Sequence, residues 1–225
     1  MTFSLLGRCA RTGELGVAVT TSDIAVGARV PFAAPGVGVA ATQHRTDPRL
    51  GPRALALLGS GCSAREAVDG VIAATPHRGW RQLGVLDATG AAAAFTGDGV
   101  WPVAAALEGA GCLALGNMLV SDAVAPAMAA AFAADPGAPL AARLLDGLDA
   151  GLAAGGETGE LRSAALLVVG RETFPLVDLR VDDAAAPLSA LRALWDAYAP
   201  WVGDFVRRAL DPDAATGTPD GVPPA

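Results

Sequence analysis

The chain has 225 residues, 52% hydrophobic and 17% charged, with a net charge of −7, which fits one globular domain with ample material for a core. All 16 cationic residues are arginine, and they form no basic patch that would suggest nucleic acid as a partner. No run of about 18 apolar residues could span a membrane, and no basic flank with an apolar stretch marks a signal peptide. Cys9, Cys62 and Cys112 are widely spaced and read as free thiols of a cytoplasmic protein. His44 and His77 are too far apart for a zinc-type spacing, and no glycine-rich phosphate loop follows a strand, so neither a metal nor a cofactor is expected.

In chain order, apolar runs of strand length occupy 3–8, 15–21 and 37–42, with Gly- and Pro-bearing turns between them. Pro31, Pro35 and Gly36 punctuate an irregular stretch before the third. Asp47-Pro48 reads as the N-cap and first position of a helix to about Leu58. Ser63-Ala64-Arg65-Glu66 is a capping box that opens a second helix to about Ala74. A hairpin follows, 82–87 with 91–96, and Gly90 sits at the turn where positive φ is needed. A short strand at 112–115 precedes two helices, roughly 119–134 and 139–155, broken at Asp135-Pro136-Gly137. A second strand pair spans 164–169 and 175–181, and a last helix runs from about Pro187 to Leu210. Residues 1–210 form the domain, and the tail 211–225 is expected to be disordered. Consecutive strands with tight turns mean antiparallel sheets, and the helices must cover outer faces. The simplest layered solution is two packed sheets with helices on both sides.

Thr2 opens the first strand. If Met1 is removed, Thr2 carries both a hydroxyl and an α-amine with a reference pKa near ~8, so nucleophile and general base share one residue. The alternative is a β-forming threonine at the start of an edge strand.

Several stretches together resemble one bacterial family. They are Thr2-Phe3-Ser4 with Gly13-Glu14-Leu15-Gly16-Val17-Ala18-Val19, Ala25-Val26-Gly27 with Val30-Pro31, and Ala41-Thr42-Gln43 with Asp47-Pro48-Arg49-Leu50-Gly51-Pro52-Arg53. Gln82-Leu83-Gly84-Val85, Ala94-Phe95-Thr96-Gly97, Gly116-Asn117-Met118-Leu119, Arg162-Ser163-Ala164-Ala165-Leu166 and Asp178-Leu179-Arg180-Val181-Asp182-Asp183 complete the set. This pattern, from residue 1 to about 200, resembles the domain-of-unknown-function family 1028. The resemblance implies an α+β fold of the N-terminal nucleophile (Ntn) hydrolase type, a four-layer αββα sandwich of two antiparallel sheets. In proteasome-like members of that superfamily the first strand begins with the catalytic threonine, which falls on Thr2. Those enzymes end the second strand with an aspartate and use a lysine beneath the threonine. Here Thr20 takes the first place and no residue takes the second. Arg29 supplies positive charge but cannot shuttle a proton as lysine does, and Asp23 can accept hydrogen bonds instead.

The expected catalytic set is therefore Thr2, Thr20, Asp23, Asn117 and Ser163. Asn117, at a strand end, is a donor to an oxyanion together with N–H groups of a helix start, or else a turn or cap residue. Ser163 is an assisting hydroxyl or a buried hydrogen-bonded serine. Gln43, His44, Arg45 and Arg29 form the expected substrate-binding set. Gln43 either orients substrate or ties a strand-to-helix corner. Arg45, Arg49 and Arg53 recur at spacings of four, facing a cleft to receive a carboxylate or facing solvent. Asp178, Asp182 and Asp183 are explained by ion pairs with Arg180 or Arg192. Trp195, Tyr198 and Trp201 read as a packing face, with a homodimer or larger homo-oligomer expected. The function implied is hydrolysis of a small amide-like metabolite. The alternative is a catalytically silent protein of this fold that binds a metabolite or serves in assembly.

Overall fold

The computed structural model describes residues 1–218. Ten strands form two antiparallel sheets. They are β1 (Thr2–Arg8), β2 (Leu15–Thr21), β3 (Pro31–Ala34), β4 (Gly38–Gln43), β5 (Gln82–Asp87), β6 (Ala92–Thr96), β7 (Ala105–Gly109), β8 (Cys112–Asn117), β9 (Ser163–Val169) and β10 (Pro175–Val181). The helices are α1 (Leu50–Gly59), α2 (Ala64–Ala73), α3 (Val124–Ala134), α4 (Leu140–Ala153), α5 (Pro187–Tyr198) and α6 (Val202–Leu210). The larger sheet runs β10-β9-β2-β1-β8-β7 and the smaller β3-β4-β5-β6.

Strand alternation sorts the apolar side chains into three layers of core. Phe3, Leu5 and Ala18 leave one face of the larger sheet to pack with Phe132, Leu144, Leu148 and Leu191 of α3, α4 and α5. Leu6, Val17 and Val19 leave the other face and meet Val39, Ala41 and Leu86 of the smaller sheet. Leu83 and Val85 face outward from the smaller sheet onto Leu50, Ala54 and Val68 of α1 and α2. Burying each such Leu, Val or Phe stabilises the fold by about 1.5–3 kcal/mol. Gly84 lets the sheets approach closely, since a Cβ there would lie 2.3 Å from Leu115 Cδ1.

Two strands escape the sequence pattern. β3 begins at Pro31 and β7 is almost entirely exposed. Both lie at sheet edges, where proline is tolerated and no apolar face is required. The capping box at Ser63 is present, with Ser63 N–H donating to Glu66 Oε2 at 2.9 Å and Glu66 N–H to Ser63 Oγ at 3.3 Å. Gly90 takes φ 93° at its turn. The long C-terminal helix is instead two, because Pro200 lacks an N–H and crowds the preceding turn; Ala199–Trp201 becomes a 3₁₀ turn between α5 and α6. Trp195 joins the core, whereas Trp201 stacks on Phe205 at 5.9 Å. Arg192 pairs with Asp146 and Asp149, leaving Asp178 to Arg180 and Asp183 to Arg162. Residues 211–218 carry turns, and the rest of the tail expected to be disordered, 219–225, lies outside the described residues. Among the described residues no helix is long and apolar enough to cross a membrane.

Helix α1 starts at Leu50 with Arg49, not Asp47, in the cap position. Asp47 sits one turn earlier, where its buried carboxylate accepts Arg49 N–H at 3.2 Å and Arg49 Nε and Nη2 at 2.8 Å each. The Arg49 side-chain hydrogen bonds hold the Asp47 pKa down at about 2. A depressed carboxylate contributes stability above its unfolded pKa, near ~3.9, and loses it as pH falls through the folded value. Arg49 is largely exposed, so screening reduces the pair's worth. Asp47→Asn is expected to cost about 1–2 kcal/mol at pH 7. Urea midpoints should converge with those of the parent near pH 2, and an equal difference at both pH values would contradict this account.

Candidate functional site

The β1–β2 register pairs Phe3 with Thr20 and Ser4 with Val19, so Thr2 falls opposite Thr21. On the other side Thr2 pairs with Asn117 of β8. Cross-strand partners share a face, so Thr2, Thr21, Asn117 and Ser4 all point between the sheets, at the end where the apolar filling stops. Thr2 Oγ1 lies 3.1 Å from Thr21 Oγ1, and both hydroxyls donate to the Met1 carbonyl. Thr20 is one residue out of phase: it faces the helical side, and its hydroxyl donates to Ser163 O at 2.9 Å. Thr20, expected in the catalytic set, is thus turned away from Thr2, and Thr21 is the threonine in contact with it. A one-residue slip inverts the face, so the observed register decides which threonine meets Thr2.

Behind Thr2 the inter-sheet space is closed by an amide network. Gln82 Nε2 donates to Ala105 O at 3.1 Å and Gly116 O at 3.0 Å, which fixes its orientation and turns Oε1 into an acceptor. That oxygen receives Gln43 Nε2 at 2.7 Å and Asn117 Nδ2 at 3.1 Å. Gln43 Oε1 in turn accepts Ser4 Oγ at 2.8 Å. Gln43 is thus fully buried and locks the two sheets together rather than reaching substrate. Asn117 has its NH₂ directed at Gln82, and its remaining atom, Oδ1, is a buried acceptor with no partner. An acceptor suits an ammonium, not an oxyanion. Helix α3 begins only at Val124, so no helix start adjoins Asn117 either.

Thr2 lies on a cleft of about 270 Å³ lined also by Thr21, Asp23, Arg29, His44, Arg45, Trp101 and Met118. A larger hollow of about 700 Å³ beside the start of α5 is lined by Leu161, Arg162, Asp183 and Pro187 and contains no candidate nucleophile apart from Ser189. Three cleft residues that are not glycine hold left-handed backbone, His44 (φ 54°), Arg45 (φ 41°) and Met118 (φ 54°), and Ala25 (φ 54°) lies beside them. Such conformations each cost of order 1–3 kcal/mol and cluster where a fold positions a site.

His44 is buried between two tryptophans, stacked on Trp80 at 6.2 Å and edge-on to Trp101 at 5.7 Å. Its Nε2 accepts Trp101 N–H at 3.4 Å, so Nδ1 carries the proton to Trp80 O at 3.0 Å. Burial holds its pKa below the ordinary value. Both nitrogens are occupied, so His44 is a neutral wall and not a base. The Arg45 guanidinium lies 4.5 Å over the Trp80 ring and 5.7 Å from that of Trp101, and among the described residues it has no carboxylate partner. Arg29 is held by the carbonyls of Ile24 and Ala25, with Asp23 at 3.7 Å. Arg49 and Arg53 do not line the cleft. Ser163 does not reach Thr2: its hydroxyl donates to Asp23 O at 2.6 Å and accepts Val26 N–H at 3.1 Å, shaping the loop after β2.

Sequence reasoning missed Glu157. The segment around it is pinned beside the end of β8 by Val120 N–H to Gly156 O and Thr158 N–H to Met118 O. Glu157 is 6% exposed, and its Oε1 accepts Ser22 N–H at 2.7 Å. Its Oε2 is buried without a partner. Burial pushes its pKa up to about 7, against the opposing pull of the Ser22 bond and of the chain's α-amine. A lone glutamate in a Gly-Gly-Glu-Thr-Gly loop carries no periodic signal, so only the folded chain locates it.

The model of a family of unknown function, DUF1028, matches residues 2–191. The chain belongs to this family. The crystal structure of protein SPO2555 from Silicibacter pomeroyi, in the same family, is 33% identical, covers 92% of this chain and 94% of its own, and superposes with a TM-score of 0.85. Anbu (ancestral beta-subunit) from Yersinia bercovieri is 12% identical over 91% of this chain and 97% of its own, with a TM-score of 0.42. None of the functionally curated proteins matches the chain.

Proposed function

We propose that this DUF1028 protein is a cytoplasmic amidohydrolase of N-terminal-nucleophile type, built as a four-layer αββα sandwich and acting on a small amide that carries an anionic group. The observation that supports it is the placement of Thr2: first residue of β1, on the cleft, with its hydroxyl 3.1 Å from Thr21. Once Met1 is gone, the α-amine takes the proton from Thr2 Oγ1 directly or through a water, and Oγ1 adds to the acyl carbon. The tetrahedral intermediate collapses as the leaving nitrogen takes that proton back. An acyl ester on Thr2 remains, and water cleaves it with the amine again as base. Assembly into a homodimer or larger oligomer, covering the Trp201–Phe205 side, belongs to the same proposal.

The substrate's charge is inferred from Arg45, whose guanidinium is spread on two indoles with no anion against it. Succinate should raise the melting temperature, while succinamide at equal concentration should not. At a hundred times its dissociation constant a ligand contributes about 2.7 kcal/mol. Arg45→Ala should remove the succinate shift and leave the unliganded melting temperature in place. Equal shifts from the neutral and the anionic compound would sink the role of Arg45.

Hydrolysis itself is tested with small acyl 4-nitroanilides with and without a carboxylate, followed by peptide mass mapping of the acylated protein. The acyl mass belongs on the peptide that begins at Thr2. The second reading, a silent metabolite-binding protein, is favoured by the lack of any basic side chain in contact with Thr2 Oγ1 among the described residues. It takes over if the protein binds the carboxylate probes but never acquires the acyl mass.

A further inference from the structure

Two buried acceptors near the N-terminal end of β1 have no donor: Glu157 Oε2 and Asn117 Oδ1. Asn117 lies directly opposite Thr2 in the sheet. Glu157 is fixed by Ser22 N–H, the residue that follows Thr21, Thr2's neighbour on the other side. Met1 spans the region. Its carbonyl receives both threonine hydroxyls, and its sulfur accepts the hydroxyl of Thr158, next to Glu157. Buried acceptors in folded proteins are almost always paired, and each orphan costs about 1–3 kcal/mol. Two of them around one chain terminus call for one multivalent donor. An ammonium, with three N–H groups and a positive charge, has that chemistry.

We infer that Glu157 and Asn117 are the docking partners of the Thr2 α-ammonium that Met1 removal creates, with Glu157 as its counter-charge and Asn117 as a neutral acceptor. Glu157 is here a positioning residue: it sets where the α-amine sits and how readily it gives up its proton. The inference rests on Thr2 being the mature first residue, but not on its hydroxyl being a nucleophile. The charged groups that line the cleft with Thr2 are Asp23 and Arg29 from the segment after β2 and Arg45 from the end of β4, and Glu157, from the loop before β9, is held beside them by Ser22 N–H. The imidazole of His44, also at the end of β4, is neutral. Arg81, before β5, adds a more distant positive charge felt at His44. Of these, the buried Glu157 has the least solvent screening, so its removal should dominate.

The sequence makes a clean measurement possible. It contains no lysine, so in protein prepared with Thr2 first an amine reagent meets a single primary amine. Labelling Thr2 with ¹³C and ¹⁵N and following its α-carbon and α-nitrogen signals against pH gives the pKa of the unmodified amine. Glu157→Gln retains an acceptor for Ser22 N–H and should lower the amine pKa by half a unit or more. Asn117→Asp, which adds a second carboxylate, should raise it. By reciprocity, acetylating the amine should raise the Glu157 pKa, read from its side-chain ¹³C shift, by a comparable amount. Thr2→Ala should leave the Glu157 effect intact even if it abolishes hydrolysis, which separates this inference from the nucleophile proposal. An amine pKa unchanged in Glu157→Gln, with the melting temperature showing that the variant is folded, overturns it. If Glu157→Gln is unfolded, the acetylation arm on the parent decides: an unmoved Glu157 pKa refutes the pairing.

Discussion

Thr2→Ala is expected to lower hydrolysis of a responsive 4-nitroanilide by at least about 10³-fold, the scale seen when a covalent nucleophile is removed. The physical reason is that the proposed route has no second hydroxyl to substitute. Thr21 Oγ1 is 3.1 Å away but has no amine of its own, Thr20 faces the other side of the sheet, and Ser163 is tied to Asp23 O and Val26 N. Thr2→Ser, which keeps hydroxyl and amine, should retain part of the rate. Stability should change by only about 1 kcal/mol, since one side-chain hydrogen-bonding group is lost and no large cavity opens. Thr21→Ala should also slow turnover while leaving the acyl mass on Thr2, because Thr21 only orients the nucleophile. Undiminished hydrolysis by Thr2→Ala, or by a protein whose mass includes Met1, would end the nucleophile reading.

The second large effect is on stability against pH. In the chain with Met1 retained, Glu157 has a folded pKa of about 7, raised by burial from an ordinary carboxylate value near ~4.3. A carboxyl group with a raised folded pKa is protonated in the native state when the unfolded chain has already lost its proton. Its contribution is fully present below the unfolded value and is lost as pH rises through 7. Glu157→Gln removes that loss, so the variant should match the parent at pH 4 and exceed it at pH 8 by up to about 3 kcal/mol. With Thr2 first, the docked ammonium should stabilise the charged carboxylate, and the variant's advantage at pH 8 should shrink. Denaturant midpoints at pH 4, 6 and 8 on both forms of the chain test this. A variant less stable than the Met1-bearing parent at pH 8 would show that Glu157 is not a strained buried acid.

Much of this molecule was legible in the amino-acid order. The apolar runs of strand length at 3–8 and 15–21, the Ser63 capping box and the Gly90 turn each rest on local chemistry, and each is present in the fold. The candidacy of Thr2 was legible in the sequence because the proposed chemistry needs only a hydroxyl and an α-amine on one residue. Edge strands β3 and β7 were not, since an edge exposes side chains of any kind and leaves no periodic mark. Pro200 was visible in the sequence, yet the apolar pattern on both sides of it suggested one continuous helix.

The surroundings of Thr2 were decided by tertiary structure alone. Which of Thr20 and Thr21 faces Thr2 depends on the pairing register, a relation between two strands and not a property of either. The roles of Gln43, Gln82 and Asn117 are set by backbone carbonyls that the folded sheets bring to Gln82, so each amide's orientation follows from groups far away in sequence. The wall of His44, Trp80, Trp101 and Arg45 joins three loops in space. Glu157 acquires its chemistry only through burial: in an extended chain it is an ordinary carboxylate, and it becomes distinctive when the fold removes its water and leaves one oxygen without a donor. Local order is written in residue types and spacing, whereas pairing, desolvation and charge are long-range consequences that exist only once the chain has closed on itself.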